Sequence, residues 1–366
     1  MTYKCASFFA GVGGIDLGFE KGGDFKTIYA NEIDSFPVKT FECNFDIKVD
    51  VKDISIVNGN EIPDVDVIMG GFPCQAFSIA GYRQGFDDIR GRGLLFFELA
   101  RIIEDKKPRV VFLENVKNLV GHDEGKTFAT ILRTLEEMGY KNPDYKVMNA
   151  MEYGDIPQNR ERIYIVAFRD ESDRANFHMP QPIRRKKTLQ DIIDFKNPVE
   201  DRYYYKEGKY KTEIYNALVE AMNDQNAIYQ WRRRYVRKNQ SRVVPTLTAN
   251  MGEGGHNVPL ILTDYGIRKL TPKECFNVQG FPNDFILPND MSDSKLYKQA
   301  GNSVCVSVIE RIASNIQEAL KLTDAFYKYK DDKIGIDWIE NYSRGLDIKS
   351  RDVIIEMVNQ WNTFFK

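Results

Sequence analysis

The sequence predicts an open α/β domain carrying a second, smaller and basic domain, and three observations support that prediction. The first is a short apolar run, Val65-Asp66-Val67-Ile68-Met69, that stops at Gly70-Gly71-Phe72-Pro73-Cys74-Gln75-Ala76-Phe77-Ser78. Two glycines break a buried strand, and a proline fixes the backbone before a thiol at the sheet edge where open α/β folds bind ligands. The second is an N-terminal strand, Tyr3 to Phe9, followed by the turn Ala10-Gly11-Val12-Gly13-Gly14 and a helix from Ile15. Strand, glycine turn and helix form a nucleotide-binding opening. The third is a change of character after Asp170: Met179 to Tyr265 is basic, tyrosine-rich and irregular, with weak α/β alternation.

Taken in order, Thr27-Ile28-Tyr29-Ala30 reads as the second strand and ends at Asn31-Glu32. Glu32 stands where such folds place the carboxylate that holds a ribose. Phe36 to Asn44 reads as a helix, and Lys48-Val49-Asp50-Val51 as a strand leading to Asp53-Ile54. Asp53 there is either a partner for an adenine amino group or a plain turn residue. Cys74 is either a nucleophile or a small buried side chain, the usual state of a free cysteine. The stretch after it holds Gly81, Gly85, Gly91 and Gly93, the composition of a closing loop. Leu94 to Glu104 and Thr127 to Met138 have helical periodicity.

Val110-Val111-Phe112-Leu113 reads as a buried strand ending in Glu114-Asn115-Val116. A carboxylate there is partly desolvated, and its raised pKa suits a group that protonates or hydrogen-bonds a substrate nitrogen. In the next strand, Arg160 to Ala167, Arg160 and Arg162 share a side. They either recognise an anion or carbonyl, or begin an edge strand at the surface. Pro245-Thr246-Leu247-Thr248-Ala249-Asn250 reads as a strand entering a glycine loop. Thr271, Pro272 and Glu274 mark a helix start. Gln299-Ala300-Gly301-Asn302-Ser303-Val304 opens a last helix from Val306 to about Leu322. The tail carries Ile354, Val358, Trp361 and Phe365 on one helical face.

The chain has 366 residues and a net charge of −2, so a nucleic-acid partner is signalled only locally. Between Asn226 and Pro245 stand six basic residues, Arg232, Arg233, Arg234, Arg237, Lys238 and Arg242, with no acidic one. Tyr229, Trp231 and Tyr235 interleave with them, and Arg184-Arg185-Lys186-Lys187 forms a second run. Two basic runs mixed with aromatics favour a surface that tracks phosphates. Five cysteines without a CxxC and three scattered histidines predict neither a disulfide framework nor a metal site. With no apolar run long enough for a bilayer and no leader pattern, the sequence predicts a cytoplasmic protein.

Together, Phe9-Ala10-Gly11-Val12-Gly13-Gly14, Gly71-Phe72-Pro73-Cys74-Gln75, Glu114-Asn115-Val116, Gln158-Asn159-Arg160-Glu161-Arg162 and Gly301-Asn302-Ser303-Val304 resemble the ordered motifs of the DNA (cytosine-5)-methyltransferase family. The resemblance spans residues 1–322. It implies a doubly wound, Rossmann-like sheet that uses S-adenosylmethionine, and a smaller target-recognition domain that reads duplex DNA. It places the catalytic and cofactor-binding domain at 1–178, the DNA-reading domain at 179–290, a return helix at 291–324 and a helical extension at 325–366.

The resemblance further implies that Cys74 adds to C6 of a flipped-out cytosine, that Glu114 holds N3, and that Arg160 and Arg162 bind the base carbonyl and a nearby phosphate. Phe9, Ala10, Gly11, Gly13, Gly14, Glu32, Ile33, Asp53, Ile54, Gly71, Pro73, Leu95, Asn302, Ser303 and Val304 would line the cofactor pocket. Ser78, Gln84 and Arg90 would face DNA from the closing loop. Arg232, Arg233, Arg234, Arg237, Lys238, Thr246, Leu247 and Thr248 would face it from the second domain. The expected protein is a monomer, the protective half of a restriction–modification pair whose endonuclease acts on the same site without forming a complex. Two other readings are an RNA cytosine-5 methyltransferase and a catalytically silent DNA-binding regulator. The long basic segment counts against the first. The joint presence of Cys74, Glu114, Arg160 and Arg162 counts against the second.

Overall fold

The computed structural model describes residues 2–73, 95–209, 211–232, 234–239, 241–252 and 257–329. Its first half runs β1 (Tyr3–Phe8), α1 (Gly14–Gly22), β2 (Phe25–Asn31), α2 (Ser35–Glu42), β3 (Val67–Gly70), α3 (Leu95–Lys106), β4 (Val110–Val116), α4 (Lys126–Glu137) and β5 (Asp144–Asn149). Then come α5 (Ala150–Tyr153), β6 (Gln158–Asn159), β7 (Glu161–Phe168), α6 (Glu171–Ala175) and α7 (Thr212–Ala221). The chain continues with β8 (Tyr229–Trp231), β9 (Val236–Lys238), β10 (Val244–Pro245), β11 (Leu260–Thr263), β12 (Gly266–Lys269), α8 (Pro272–Val278), α9 (Asp293–Asn302) and α10 (Val306–Tyr329).

The main sheet has the order β2-β1-β3-β4-β7-β5. β2, β1, β3 and β4 are parallel, and β7 runs against both β4 and β5. From β1 the chain moves outward to β2 and then returns past β1 to β3. That reversal opens a crevice beyond the C-terminal ends of β1 and β3. Alternation along each strand fills both faces. Cys5, Val67, Met69 and Phe112 pack under α1 and α10, while Ala6, Phe8, Ile68 and Val111 pack under α3 and α4.

α1 reaches α10 through a stripe of glycines. A Cβ on Gly18 would lie 2.5 Å from Ile309 Cγ2, and one on Gly22 the same distance from Glu310 O. Real Cβ atoms do not approach so closely, so these glycines set the spacing of the two helices.

A second sheet, β12-β11-β8-β9, is antiparallel throughout. A parallel link ties the two regions, with Val244 opposite Gln158 and Pro245 opposite Asn159. Gln158 Nε2 donates to Val278 O and Gln279 Oε1 at 2.9 and 3.1 Å. Gln279 Nε2 donates in turn to Ala300 O at 2.8 Å. These buried amides join the link to α8 and α9.

Several local expectations are corrected. Lys48–Val51 is not a strand: only Asp50 bridges Asn31, and Val51 is 49% exposed. The run from Pro245 forms only the end of β10 before a 3-10 turn at Ala249–Gly252. Gln299–Asn302 closes α9 rather than opening the last helix, and Ser303 to Cys305 separates it from α10. The capping box of Thr271 and Glu274 forms as read, with Pro272 at the first position. The last helix continues past Leu322 to Tyr329; residues 330–366 lie outside those described.

Candidate functional site

A cleft of about 730 Å³ occupies the crevice. Its floor is the turn after β1. Phe9 takes a φ of +53°, a sparsely populated state for a side-chain-bearing residue. Ala10 N donates to Asn31 O at 3.1 Å and fixes that turn against β2. Glu32 organises one wall: its Oε2 accepts from Gly11 N at 2.9 Å, and its Oε1 from Ile33 N and Asp34 N at 2.8 and 2.9 Å. Asn31 Nδ2 donates to Asp50 O and Lys52 O at 2.9 and 3.0 Å, which carries Asp53 to the rim. Asp53 caps the turn through Ser55 N at 2.9 Å, and that bond holds its carboxyl below the ordinary range.

Phe9, Ala10, Gly11, Gly14, Glu32, Ile33, Asp53, Ile54, Gly71, Pro73, Leu95, Asn302, Ser303 and Val304 all line this cleft, as do Glu114, Arg160 and Arg162. Gly13 does not. A Cβ there would lie 2.8 Å from Phe45 Cζ and nearer still to Phe45 Cε2, so Gly13 serves packing and the left-handed turn into α1.

Glu114 lies in the buried part of β4, one residue before Asn115, which ends it. Its Oε1 lies 3.1 Å from Arg162 Nε without a well-aligned hydrogen bond. Burial raises its pKa, partly offset by Arg162 and then Arg160. A Cβ on Gly71 would be 3.6 Å from Glu114 Oε2, so the carboxylate adjoins the segment leading to Cys74. Asn115 Nδ2 holds that segment by donating to Phe72 O at 2.8 Å.

Arg160 precedes β7 and is buried. Its Nη1 donates to Leu247 O at 2.8 Å, and its Nη2 to Gly301 O at 3.3 Å and to Ser303 O. Only Nε lacks a partner. Burial, then the nearby Arg162 charge, press this guanidinium below its usual pKa. Two residues apart, one arginine faces a carboxylate and the other ties together two remote backbone segments, at Leu247 and at Gly301–Ser303.

A second cleft, of about 740 Å³, adjoins the link between the sheets. Arg232, Arg237, Lys238, Thr246 and Thr248 line it beside Asn159 and Gln230. Arg234 is exposed but outside that lining. Leu247 is 1% exposed, so its side chain belongs to the core and only its carbonyl, taken by Arg160, faces the centre. Cys74, Ser78, Gln84, Arg90 and Arg233 lie outside the described residues. Sequence reasoning missed Lys295, Lys298 and Gln299, which line the first cleft. Their spacing with Asn302 along one helix face was the available signal.

Among the described residues no His, Cys, Asp or Glu cluster could hold a metal, and no helix is long and apolar enough to cross a membrane.

The family described as C-5 cytosine-specific DNA methylase matches residues 3–318. Type II methyltransferase M.Bsp6I of Bacillus sp. (strain RFL6) is 55% identical over 317 residues, which cover 87% of this chain and 99% of that protein. Type II methyltransferase M.HhaI of Haemophilus parahaemolyticus is 38% identical over 323 residues, covering 85% and 93%. Among solved structures, the S. pombe Dnmt2 methyltransferase aligns with a TM-score of 0.64 at 15% identity, over 87% of this chain and 99% of that one. That likeness concerns the fold.

Proposed function

The chain belongs to the C-5 cytosine-specific DNA methylase family and is a DNA (cytosine-5)-methyltransferase; from that premise we propose that it methylates C5 of a flipped-out cytosine, at one short sequence in duplex DNA, through a covalent bond from Cys74 to C6. The observation that supports this chemistry best is the pairing of the buried Glu114 with the partly exposed Arg162 at 3.1 Å, in the same cleft as Pro73, one residue before the thiol.

The first cleft suits S-adenosylmethionine. Its size accepts a nucleoside with a side chain, Glu32 keeps lone pairs for ribose hydroxyls, and Ser303 Oγ is buried without a partner. Asp53 would take the adenine amino group, and Gly11 and Gly71 would let the ligand approach the backbone, while Gly14 lets Ser303 and Val304 pack close. Bound there, S-adenosylmethionine supplies the methyl group as an electrophile.

The remaining work falls to the protein. A cytosine inside the duplex cannot expose C6, so the base is extruded into the cleft. The Cys74 thiolate attacks C6, the C5–C6 double bond opens, and the electron pair makes C5 nucleophilic. Glu114 meets N3 with a proton or hydrogen bond and stabilises the charge that develops on the ring. Arg162 orients Glu114 and reaches the base carbonyl, while Arg160 supports the wall behind them. After methyl transfer the C5 proton leaves to water, the double bond re-forms and the Cys74–C6 bond breaks.

Residues 1–178 and 291–324 form the catalytic domain, 179–290 read the target and 325–366 extend the chain. The enzyme acts as a cytoplasmic monomer that protects DNA against an endonuclease of the same specificity. Base-resolution mapping of unmethylated genomic DNA, treated with the protein and S-adenosylmethionine, tests the reading. The expected result is 5-methylcytosine at one short motif, and unmodified DNA would overturn it.

A further inference from the structure

The second cleft is lined almost wholly by polar and basic side chains. Gln230 on β8 and Arg232 just beyond it stand two residues apart, and Gln230 pairs in register with Arg237 on β9. All three line the cleft. Arg232 Nη2 donates to Gln230 Oε1 at 3.0 Å. A guanidinium has no acceptor, so the amide oxygen must be the atom turned toward it; one of its two lone pairs is taken there, and the N–H₂ edge of Gln230 faces away from Arg232. Among the described lining residues there is no carboxylate. Thr246 Oγ1 spends its proton on Asn159 O at 2.6 Å.

Without Arg232, a glutamine would offer a donor and an acceptor together, the pattern that matches adenine N7 and the adenine 6-amino group. With Arg232 occupying a lone pair of that oxygen, the pair presents chiefly donors, the Gln230 N–H₂ and the remaining guanidinium N–H groups. In the major groove, guanine presents two adjacent acceptors, N7 and O6, whereas adenine sets an amino group beside its acceptor. We infer that the Gln230–Arg232 pair is a specificity device that reads a guanine of the recognition sequence and rejects adenine there. This rests on the proposed function, and it assigns the base class and the mechanism of discrimination to two residues.

The experiment measures kcat/KM on duplex oligonucleotides carrying every single base-pair change in the mapped motif. Wild type, Arg232→Ala and Gln230→Glu are compared. Arg232 is exposed, so its removal leaves the core intact. At one G·C pair, Arg232→Ala should lose about 10-fold or more of the preference for guanine over adenine, because the freed amide now accepts adenine. Gln230→Glu replaces donors by acceptors and should abolish the guanine preference at that same pair, leaving the other positions unchanged. 7-Deazaguanine at that pair should cost the wild type about 10-fold and leave Arg232→Ala nearly unaffected. Unaltered preferences in both variants, or a change confined to an A·T pair, would overturn this inference alone. A wild-type protein that methylates no duplex would overturn the proposed function with it.

Discussion

Replacing Gly301 by alanine tests whether the two regions are joined backbone to backbone. On an open helix surface the change would gain about 1 kcal/mol, because glycine is a poor helix former. Here the new Cβ would lie 2.5 Å from Ala249 N, and closer still to the carbonyl group of Thr248, where ordinary contact starts at 3.4 Å. The obstructing atoms are backbone, and the same segment is held by Arg160 through Leu247 O at 2.8 Å and Gly301 O at 3.3 Å. Overpacking of this kind costs about 1–3 kcal/mol. Stretching a hydrogen bond from a charged donor costs about 1.5–3 kcal/mol more. The clash therefore outweighs the propensity gain, and a net loss of about 3 kcal/mol is expected. Urea unfolding reads it as a lowered midpoint. Gly121→Ala is the control, since nothing lies within 4 Å of its Cβ position and its φ is −96°; it should leave the midpoint unchanged. A Gly301→Ala protein as stable as the wild type would refute the tight joint.

Glu114→Gln keeps an N–H toward N3 but cannot pass a proton, so methyl transfer should fall about 100-fold while DNA affinity, read by gel shift, stays unchanged. Asp16 is buried, accepts from Ser7 Oγ and Thr27 Oγ1 at 3.0 and 2.9 Å, and has its pKa raised by burial to about 6. A raised carboxyl pKa means that the folded state holds the proton more tightly, so this group's contribution is full in acid and is lost as pH rises through about 6. Asp16→Asn should therefore gain stability relative to the wild type between pH 5 and pH 8, and urea midpoints at the two values check the sign. Arg232→Ala and Arg237→Ala should each weaken DNA binding, and Arg237→Ala should also flatten its salt dependence by about one phosphate contact; fluorescence anisotropy over a salt series would show unchanged affinities and slopes if neither meets DNA.

The part of the site that was legible in the sequence rests on local chemistry. Gly11, Glu32 and Pro73 announce themselves because a tight turn, a ribose-distance carboxylate and a rigid residue before a thiol depend on near neighbours in the chain. The main sheet was legible for the same reason: four-to-seven-residue apolar runs such as Val110–Leu113 leave little choice of structure. The small sheet was not, since Tyr229–Trp231 and Val236–Lys238 are three-residue strands, too short to show a period. Lys48–Val51 failed because alternation there reflects only Val49 packing inward while Val51 points to solvent. Arg160 and Gln158 look like surface groups at a strand start. Their roles arise from Leu247, Ser303 and Gln279, partners remote in sequence. Gly18, Gly22 and Gly301 likewise act through contacts with α10 and the Thr248–Ala249 segment, which no local pattern encodes.

The most direct test of the account is covalent trapping. Duplex DNA carrying 5-fluorocytosine at the mapped target base is incubated with the protein and S-adenosylmethionine, then resolved under denaturing conditions. Fluorine at C5 blocks the proton loss that releases Cys74, so the account predicts a stable one-to-one protein–DNA adduct, absent from Cys74→Ser, whose DNA affinity is retained. An adduct that persists in Cys74→Ser, or no adduct while unmodified target DNA is methylated, would contradict it.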